Sequence, residues 1–390
     1  MNNVLLIIGN GFDLQCKLPS SYNDYFNYCS DDNIWYKKYL VKGSTILTRI
    51  IEDRNMNIKF LDRDSFFENF TMWDLLFITS RQFVKGEVRW CDIEKEIDKS
   101  LKLDESGKSL WRDVQFRVQT AHRTLYMQGE NYFSERINLL ALLFICRYDI
   151  DYKNLNEEYM HKLIFEELTI FEKRFSDYIS SKINDEYRKK AKKLFSVLFS
   201  LDGNKTNGKN SLRTVISFNY TPLANDMIPF GLCSSFNNVH GIVGTDICDI
   251  IFGIDDYIVE KDKKLYHSSS VYFSKSYRKI KKLHASDMHD KSLLKENINN
   301  IVIYGHSLNS ADYSYFQSIF DFYKLYENKS MNIWFAYTKH EHFVEDEYYR
   351  SIRNLIQSYG NTLDNMNHGK NLFHKLLLEN RIKLVECSID

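Results

Sequence analysis

The feature that most constrains the fold of this 390-residue chain is a recurring pair, an apolar run followed at once by a short polar turn. The first run, Val4 to Ile8, leads into Gly9-Asn10-Gly11-Phe12-Asp13. Such a wholly apolar run is typical of a strand that is covered on both faces of a parallel sheet. Three later runs end in comparable turns: Ser217-Phe218-Asn219-Tyr220-Thr221, His240-Gly241 and Gly305-His306-Ser307. Because open α/β sheets bind ligands at the carboxyl ends of their strands, the four turns predict one nucleotide-sized cleft.

The apolar periodicity predicts the order of helices and strands. After residues 3–8, strands are predicted at 214–218, 238–240, 250–252, 301–304, 333–337 and 382–385. Helical spacing predicts helices at 66–83, 93–101, 110–125, 137–144, 163–179, 189–199, 312–326 and 343–358. The pattern indicates an α/β chain whose Rossmann-like parallel sheet carries a large α-helical insertion between its first and second strands. We expect the first strand and helix in 1–35, the insertion in 36–205 and the remainder of the sheet domain in 206–390.

The balance of charge and the spacing of the cysteines argue against several classes of protein. Lysine plus arginine and aspartate plus glutamate number 52 each, and this balance argues against nucleic acid as the main partner. The basic stretch at 275–282 is interpreted as a solvated face or a mobile loop. Seven scattered cysteines without a C-x-x-C pair favour reduced thiols over a disulfide frame or zinc ribbon. No apolar run approaches the ~18 residues of a membrane span, so we expect a soluble, cytoplasmic protein without a membrane partner.

The first turn offers groups for nucleotide binding but also has a simpler explanation. Gly9-Asn10-Gly11 could let the backbone approach a phosphate closely at a helix start. It lacks the third glycine of the dinucleotide fingerprint and equally suits an ordinary strand-to-helix turn. Asp13 could bind a ribose hydroxyl or merely cap the helix that follows.

Asn219 and His240 are the candidate catalytic residues. The Asn219 carboxamide can hold a sugar hydroxyl and a water together because it both donates and accepts hydrogen bonds. Asparagine is also a common turn residue, which is the simpler interpretation. His240 could serve as a general base because imidazole titrates near neutral pH, although a lone histidine is more often structural. Ser307 can contact a phosphate or ribose, while Ser310 or Asp312 can cap the next helix.

One motif with possible chemistry lies inside the insertion. Trp90-Cys91-Asp92-Ile93-Glu94 predicts a helix start whose acidic residues suit the helix dipole. A pair of carboxylates facing the cleft is the alternative. His340-x-His342 is the only close histidine pair in the sequence, and it lacks the further ligands of a zinc site, so we expect no bound metal.

In their order along the chain, these motifs resemble the AbiH family of phage abortive-infection proteins, from about residue 4 to 337. The matching segments are Leu6-Ile7-Ile8-Gly9-Asn10-Gly11-Phe12-Asp13, Leu18-Pro19-Ser20-Ser21-Tyr22, Trp90-Cys91-Asp92-Ile93-Glu94, Ser217-Phe218-Asn219-Tyr220-Thr221, His240-Gly241, Ile251-Phe252-Gly253-Ile254-Asp255 and Gly305-His306-Ser307-Leu308 with Asp312.

That family is in turn similar to the sirtuin-like, DHS-type NAD-binding fold. This resemblance implies that Asn219 and His240 are catalytic. It implies NAD contacts from Gly9, Asn10, Gly11, Asp13, Gly241, Gly253, Gly305, Ser307 and Asp312. The chain has no zinc ribbon, so protein deacylation is not expected. Thr221 stands where many sirtuin-like sequences have aspartate, and Asp13 could substitute for it.

We therefore expect an anti-phage abortive-infection effector, a hydrolase that cleaves the nicotinamide–ribose bond of NAD as its substrate. One alternative is a non-catalytic sensor of NAD or ADP-ribose that gates a defence complex. The other is a metal-dependent nuclease that uses Asp13, Asp92 and Glu94. The expected partner is a small nucleotide, and a phage-derived trigger, a defence partner protein and a second copy of the chain are further candidates.

Overall fold

Two compact units share the chain. The first contains Met1–Ser20, Ser176–Ile251 and Lys282–Asp390, and the second contains Ser21–Phe175 and Phe252–Lys281. The computed structural model describes residues 3–32, 70–83, 92–120, 132–148, 150–201, 211–245, 249–255, 265–282, 293–340, 343–363 and 369–387.

The first unit is built on a sheet of six parallel strands in the order β3-β2-β1-β4-β5-β6. The strands are β1 Val4–Ile8, β2 Arg213–Ser217, β3 Ser235–Asn238, β4 Asn300–Tyr304, β5 Asn332–Tyr337 and β6 Ile382–Glu386. This is the order of doubly wound nucleotide-binding sheets, in which the direction of winding reverses between the first and fourth strands. Every residue of β1 and β4 is buried, which explains their continuous apolar sequences.

Five of the predicted strands agree with the structure to within one residue at each end, and two predictions are wrong. The third strand ends at Asn238, so His240 lies beyond it and not within it. Residues 250–252 are buried but are not in a strand. Their backbone pairs elsewhere, since the Ile251 N–H donates to the His240 carbonyl at 3.0 Å. A short buried apolar run can thus look like a strand in the sequence without pairing with another strand of the sheet.

The regular elements described between β1 and β2 are α-helices and one 3-10 turn at Tyr152–Asn154. The α-helices of the described residues are α1 Asn10–Gln15, α2 Tyr22–Asp32, α3 Met72–Phe83, α4 Asp92–Leu101, α5 Leu110–Thr120, α6 Tyr132–Arg147, α7 Glu157–Lys182, α8 Asp185–Leu198, α9 Ala224–Met227, α10 Lys275–Lys282, α11 Tyr313–Phe322, α12 Glu345–Gly360 and α13 Leu372–Leu378. Parts of the predictions for 66–83 and 110–125 fall outside the described residues. The helix predicted to reach residue 326 ends at Phe322, because Lys324 adopts a left-handed backbone conformation with φ of 49°.

The basic stretch at 275–282 is helix α10, whose residues 275–281 belong to the second unit, so its interpretation as a mobile loop is wrong. Arg278 is buried and pairs with the buried carboxylate of Glu172, at 2.6 Å between Nη2 and Oε2. Lys275 is also buried and pairs with Glu94 at 2.7 Å. Buried charges need such partners, because leaving either one unpaired in the interior costs several kcal/mol. Two of its cations therefore belong to the core of that unit.

None of the described helices combines the length and apolarity needed to cross a membrane. Four cysteines in the described residues are buried free thiols: Cys16, Cys29, Cys233 and Cys387. The side chains of the other three are outside the described part of the chain.

Candidate functional site

The four polar turns meet at one edge of the sheet. Their strands are neighbours, and the register pairs Ile8 with both Ser217 and Tyr304, and Ser217 with Asn238. Because all four strands run in the same direction, the residues after them share the carboxyl edge: Gly9, Phe218, Val239 and Gly305. The convergence that the sequence pattern predicts is therefore present, and it includes the point between β1 and β4 where the winding reverses.

The glycine turn after β1 packs directly against the turn after β4. The Gly11 N–H donates to the Gly305 carbonyl at 2.8 Å, and the Gly9 N–H donates to the Tyr304 carbonyl at 3.1 Å. A Cβ on Gly305 would lie 2.4 Å from the Phe12 nitrogen, and its φ of 66° also favours glycine. The glycines at these positions let two backbones touch. Phosphate contact by Gly9, Asn10 or Gly11 stays a prediction.

Asp13 is the centre of a buried polar cluster in the first turn of α1. The Tyr187 hydroxyl donates to Asp13 Oδ1 at 2.6 Å, and the Thr221 hydroxyl lies 3.3 Å from both carboxylate oxygens. Burial raises the pKa of Asp13 to about 7, against the hydrogen bonds from Tyr187, Thr221 and Asn219, which lower it. Asp13 can therefore hold or release a proton near neutral pH. Its carboxylate also lies beside Thr221, the position where the resemblance expects an aspartate.

Asn219 is buried just after the end of β2. Of its two carboxamide atoms, only Nδ2 has a hydrogen-bond partner among the described residues. Its Nδ2 donates to the Gly9 carbonyl at 3.0 Å, while no described residue donates to its buried Oδ1. In Asn10 the carboxamide oxygen has a partner and the nitrogen has none among the described residues. Its Oδ1 accepts from Ser20 at 2.7 Å, and no described residue accepts from its Nδ2. A buried polar atom without a partner costs about 1–3 kcal/mol, so these two atoms are candidate contacts for a bound molecule.

His240 belongs to a second cluster, in which Asp312 joins two histidines. His240 Nε2 lies 2.8 Å from Asp312 Oδ1, and His306 Nε2 lies 3.3 Å from Asp312 Oδ2. All three residues are buried. The Phe218 ring packs against both imidazoles, at centroid distances of 5.4 Å to His240 and 4.6 Å to His306. Phe218 thus contacts the histidine cluster, while its neighbour Asn219 contacts Gly9.

Three further predicted site residues have different surroundings. Gly241 has a φ of 87°, and a Cβ there would collide with the Asp249 carbonyl, so the backbone alone requires glycine. Ser307 is exposed, and its side chain has no hydrogen-bond partner among the described residues. Gly253 belongs to the second unit, where a Cβ would lie 2.4 Å from the Phe273 carbonyl. Their contacts with NAD stay predictions.

The acidic motif of the insertion lies in the second unit, whereas Asp13 lies in the first. Asp92 begins α4, as the motif predicts, and Glu94 is held by the ion pair with Lys275. Trp90, Cys91 and His342 lie outside the described residues. In the described part of the chain, no group of three or more His, Cys, Asp or Glu side chains is arranged to hold a metal ion.

Two members of these clusters, His306 and Tyr187, have no role in the predictions made from the sequence. His306 has no predicted role, although its place two residues after β4 and six before Asp312 is a usable signal. Tyr187 carries no local signal, because it stands 174 residues from Asp13 and meets it only through the fold.

A comparison with protein families identifies the family of the chain. A family model described as "Bacteriophage abortive infection AbiH" matches residues 5–337, well over half of the chain. The chain belongs to the AbiH family. Its role therefore lies in phage abortive infection, an antiviral defence. The match includes all four turns of this AbiH protein, from Gly9 to Gly305. No curated protein and no solved structure matches the chain.

Proposed function

We propose that this AbiH protein is an NAD glycohydrolase that cleaves the nicotinamide–ribose bond during abortive infection. The observation that carries the proposal is the convergence of the buried Asn219 carboxamide and the His240–Asp312 pair at one sheet edge. The strand order of the sheet is one that binds dinucleotides at this edge. The sirtuin-like resemblance of the motifs supports the choice of NAD.

The reaction needs a positioned water and a base more than it needs an acid. Breaking the bond between ribose C1′ and the pyridinium nitrogen returns the bonding electrons to nicotinamide, which leaves as a neutral molecule. The sugar passes through an oxocarbenium-like state, as in glycoside hydrolysis. Water oxygen then bonds to C1′ and gives up a proton, so the products are nicotinamide, ADP-ribose and one proton. Orientation and proton acceptance are what the site must supply.

The residues of the site have separate roles in this reaction. The Asn219 Oδ1 acceptor would receive a ribose hydroxyl or the water, since no described residue uses it. His240 would take the proton of the water. Asp13, whose pKa of about 7 leaves it partly protonated at neutral pH, would contact a ribose hydroxyl. Asn10 would donate Nδ2–H to an acceptor of the same nucleotide.

The proposal is tested by measuring nicotinamide release from NAD, with and without lysate of phage-infected cells. Asn219→Ala and His240→Ala should each lower turnover by roughly 100-fold or more, because each removes a positioned group at the reacting centre. Asn371→Ala and His374→Ala are matched controls, since both residues are exposed on or beside α13 in the same unit. Circular dichroism and thermal unfolding confirm that the variants fold. Equal turnover by the wild type and the two site variants would overturn the assignment.

The same assay distinguishes a nucleotide sensor from an enzyme. The donor of Asn10 and the acceptor of Asn219 could bind a nucleotide whether or not it is cleaved. Thermal stabilisation by NAD without release of nicotinamide, in the presence of the lysate, would favour the sensor. A loss of nicotinamide release on adding a metal chelator would instead favour a metal-dependent effector.

A further inference from the structure

We infer that Asp312 is a positioning residue, which with His306 fixes the proton of His240 on Nε2 and makes Nδ1 its proton-accepting atom. The inference deepens the proposed NAD hydrolysis and rests on it for the chemical consequence. The side-chain contacts that carry it are independent of any substrate. Asp312 Oδ1 is hydrogen-bonded to His240 Nε2 and Asp312 Oδ2 lies 3.3 Å from His306 Nε2, while contact of Asp312 with NAD stays a prediction.

The position of the proton on His306 follows from its backbone contact. The Leu308 N–H donates to His306 Nδ1 at 2.9 Å, so Nδ1 carries a lone pair. The proton of a neutral His306 must then lie on Nε2, which faces Asp312 Oδ2. Because this backbone donor cannot reverse its role, His306 always presents an N–H to the carboxylate. Asp312 Oδ2 therefore always faces a donor, the Nε2–H of His306.

The other oxygen of Asp312 determines the tautomer of His240. An ionised carboxylate only accepts hydrogen bonds, so His240 Nε2, at 2.8 Å from Oδ1, must be the donor. Nδ1 of a neutral His240 then carries the lone pair that can accept a proton. A carboxylate that orients an imidazole and fixes its tautomer is a recurring device in hydrolases.

The rings around the cluster hold this geometry. Phe218 packs against His240 and His306, and Tyr315 packs against His240 at 5.4 Å between centroids. Phe316 packs edge-on against His306 at 5.0 Å. Burial in this aromatic environment strengthens the electrostatic contacts of both imidazoles with the carboxylate, because little water competes for them. Each imidazole is thus held by a ring contact and by one oxygen of Asp312.

The substitution Asp312→Asn separates a positioning role from a merely structural one. A carboxamide has one accepting oxygen and one donating nitrogen, so it cannot accept from both histidines. Because Leu308 fixes the proton of His306, the amide oxygen should turn to His306 and the NH₂ should face His240. His240 is then driven to the tautomer with its proton on Nδ1. Turnover of NAD should fall by roughly 100-fold or more, as expected for a wrong tautomer.

A second substitution, at position 306, removes the requirement that the amide oxygen of residue 312 face a fixed donor. Glutamine at position 306 can present either an N–H or an oxygen, so in Asp312→Asn/His306→Gln the asparagine can turn its oxygen back to His240. The original tautomer of His240 should return, and NAD turnover should recover by roughly tenfold over Asp312→Asn alone. Two independent structural defects would instead add to a larger loss. Ser310→Ala, an exposed change in the same segment, is the matched control.

The deciding measurement is nitrogen NMR of histidine-labelled full-length protein at about pH 8, above the usual histidine pKa of ~6.5. The shifts of the two ring nitrogens show which of them carries the proton, and His240→Gln assigns the signal. We expect Nε2–H in the wild type, Nδ1–H in Asp312→Asn and Nε2–H again in the double variant. An unchanged tautomer in Asp312→Asn would overturn the inference. If the wild type releases no nicotinamide, the proposed function fails while the tautomers still decide the role of Asp312.

Discussion

At the scale of single residues, the buried surroundings of Asp13 determine how readily it loses its proton. Asp13 is placed in an apolar interior with two hydroxyl donors, Tyr187 and Thr221. Burial disfavours its charge more than these hydrogen bonds favour it, so its pKa rises from 3.8 to about 7. A carboxyl group that titrates near neutral pH is a common property of functional sites.

The raised pKa of Asp13 predicts a dependence of stability on pH. The fold favours the neutral carboxyl, so its stabilising contribution is complete below about pH 4 and is lost as the pH rises through about 7. Asp13→Asn stays neutral and lacks this term. The free energy of unfolding of the wild type, relative to Asp13→Asn, should therefore fall by roughly 2–3 kcal/mol between pH 5 and 8. Denaturant unfolding at each pH measures this difference in free energy. Parallel plots of the free energy of unfolding against pH for the two proteins would contradict the prediction.

At the scale of the elements, the carboxyl edge of the sheet is shaped by close approach of two turns. The turn after β1 and the turn after β4 are joined by the hydrogen bond from Gly11 to Gly305, with backbone atoms in contact. The glycines at this point are explained by packing before any ligand is considered.

Gly305→Ala should cost more than the ordinary penalty for alanine in a left-handed conformation. Gly231 is the matched control, because its φ of 67° equals that of Gly305 within a degree while nothing lies within 4 Å of its Cβ position. Gly231→Ala should lower the free energy of unfolding by about 1 kcal/mol. Gly305→Ala, which must displace Phe12 and Gly11 backbone, should lower it by at least about 3 kcal/mol. Similar losses in the two variants would show that the contact between the turns is easily relaxed.

At the scale of the whole molecule, the chain forms two compact units. One contains the parallel sheet and both polar clusters, and the other contains residues 21–175 and 252–281 with buried ion pairs such as Glu172–Arg278. Most of the residues in our functional proposals belong to the sheet unit. Family membership spans both units, since the match covers residues 5–337.

ADP-ribose, a product that cannot be hydrolysed at the nicotinamide bond, tests nucleotide binding apart from catalysis. At about 100 times its dissociation constant it should stabilise the protein by about 2.7 kcal/mol, because only the folded state binds it. Hydrogen exchange should slow at the turns after β1 and β2, where Gly9 and Asn219 lie. Thermal unfolding and exchange measure the effect, with AMP as the control ligand. Protection elsewhere, with these turns unchanged, would place the nucleotide at a different site.

The sequence by itself determines the local pattern of this protein. Continuous apolar runs such as Val4–Ile8 specify buried parallel strands, and the polar turns after them specify the edge where side chains can act. Local periodicity is sufficient for this because strand burial and turn formation depend on neighbours in the chain. The same reasoning misassigned residues 250–252, where burial occurs without strand pairing.

Only the tertiary structure decides which of these groups become partners. Tyr187 meets Asp13 across 174 residues, and His240 meets Asp312 across 72. Such contacts depend on the strand order and on helix packing, which place distant segments within about 3 Å, and no spacing rule in the sequence specifies them. The physical reason is that the pKa of Asp13 and the tautomer of His240 are set by burial and by hydrogen bonds, and both exist only in the folded chain.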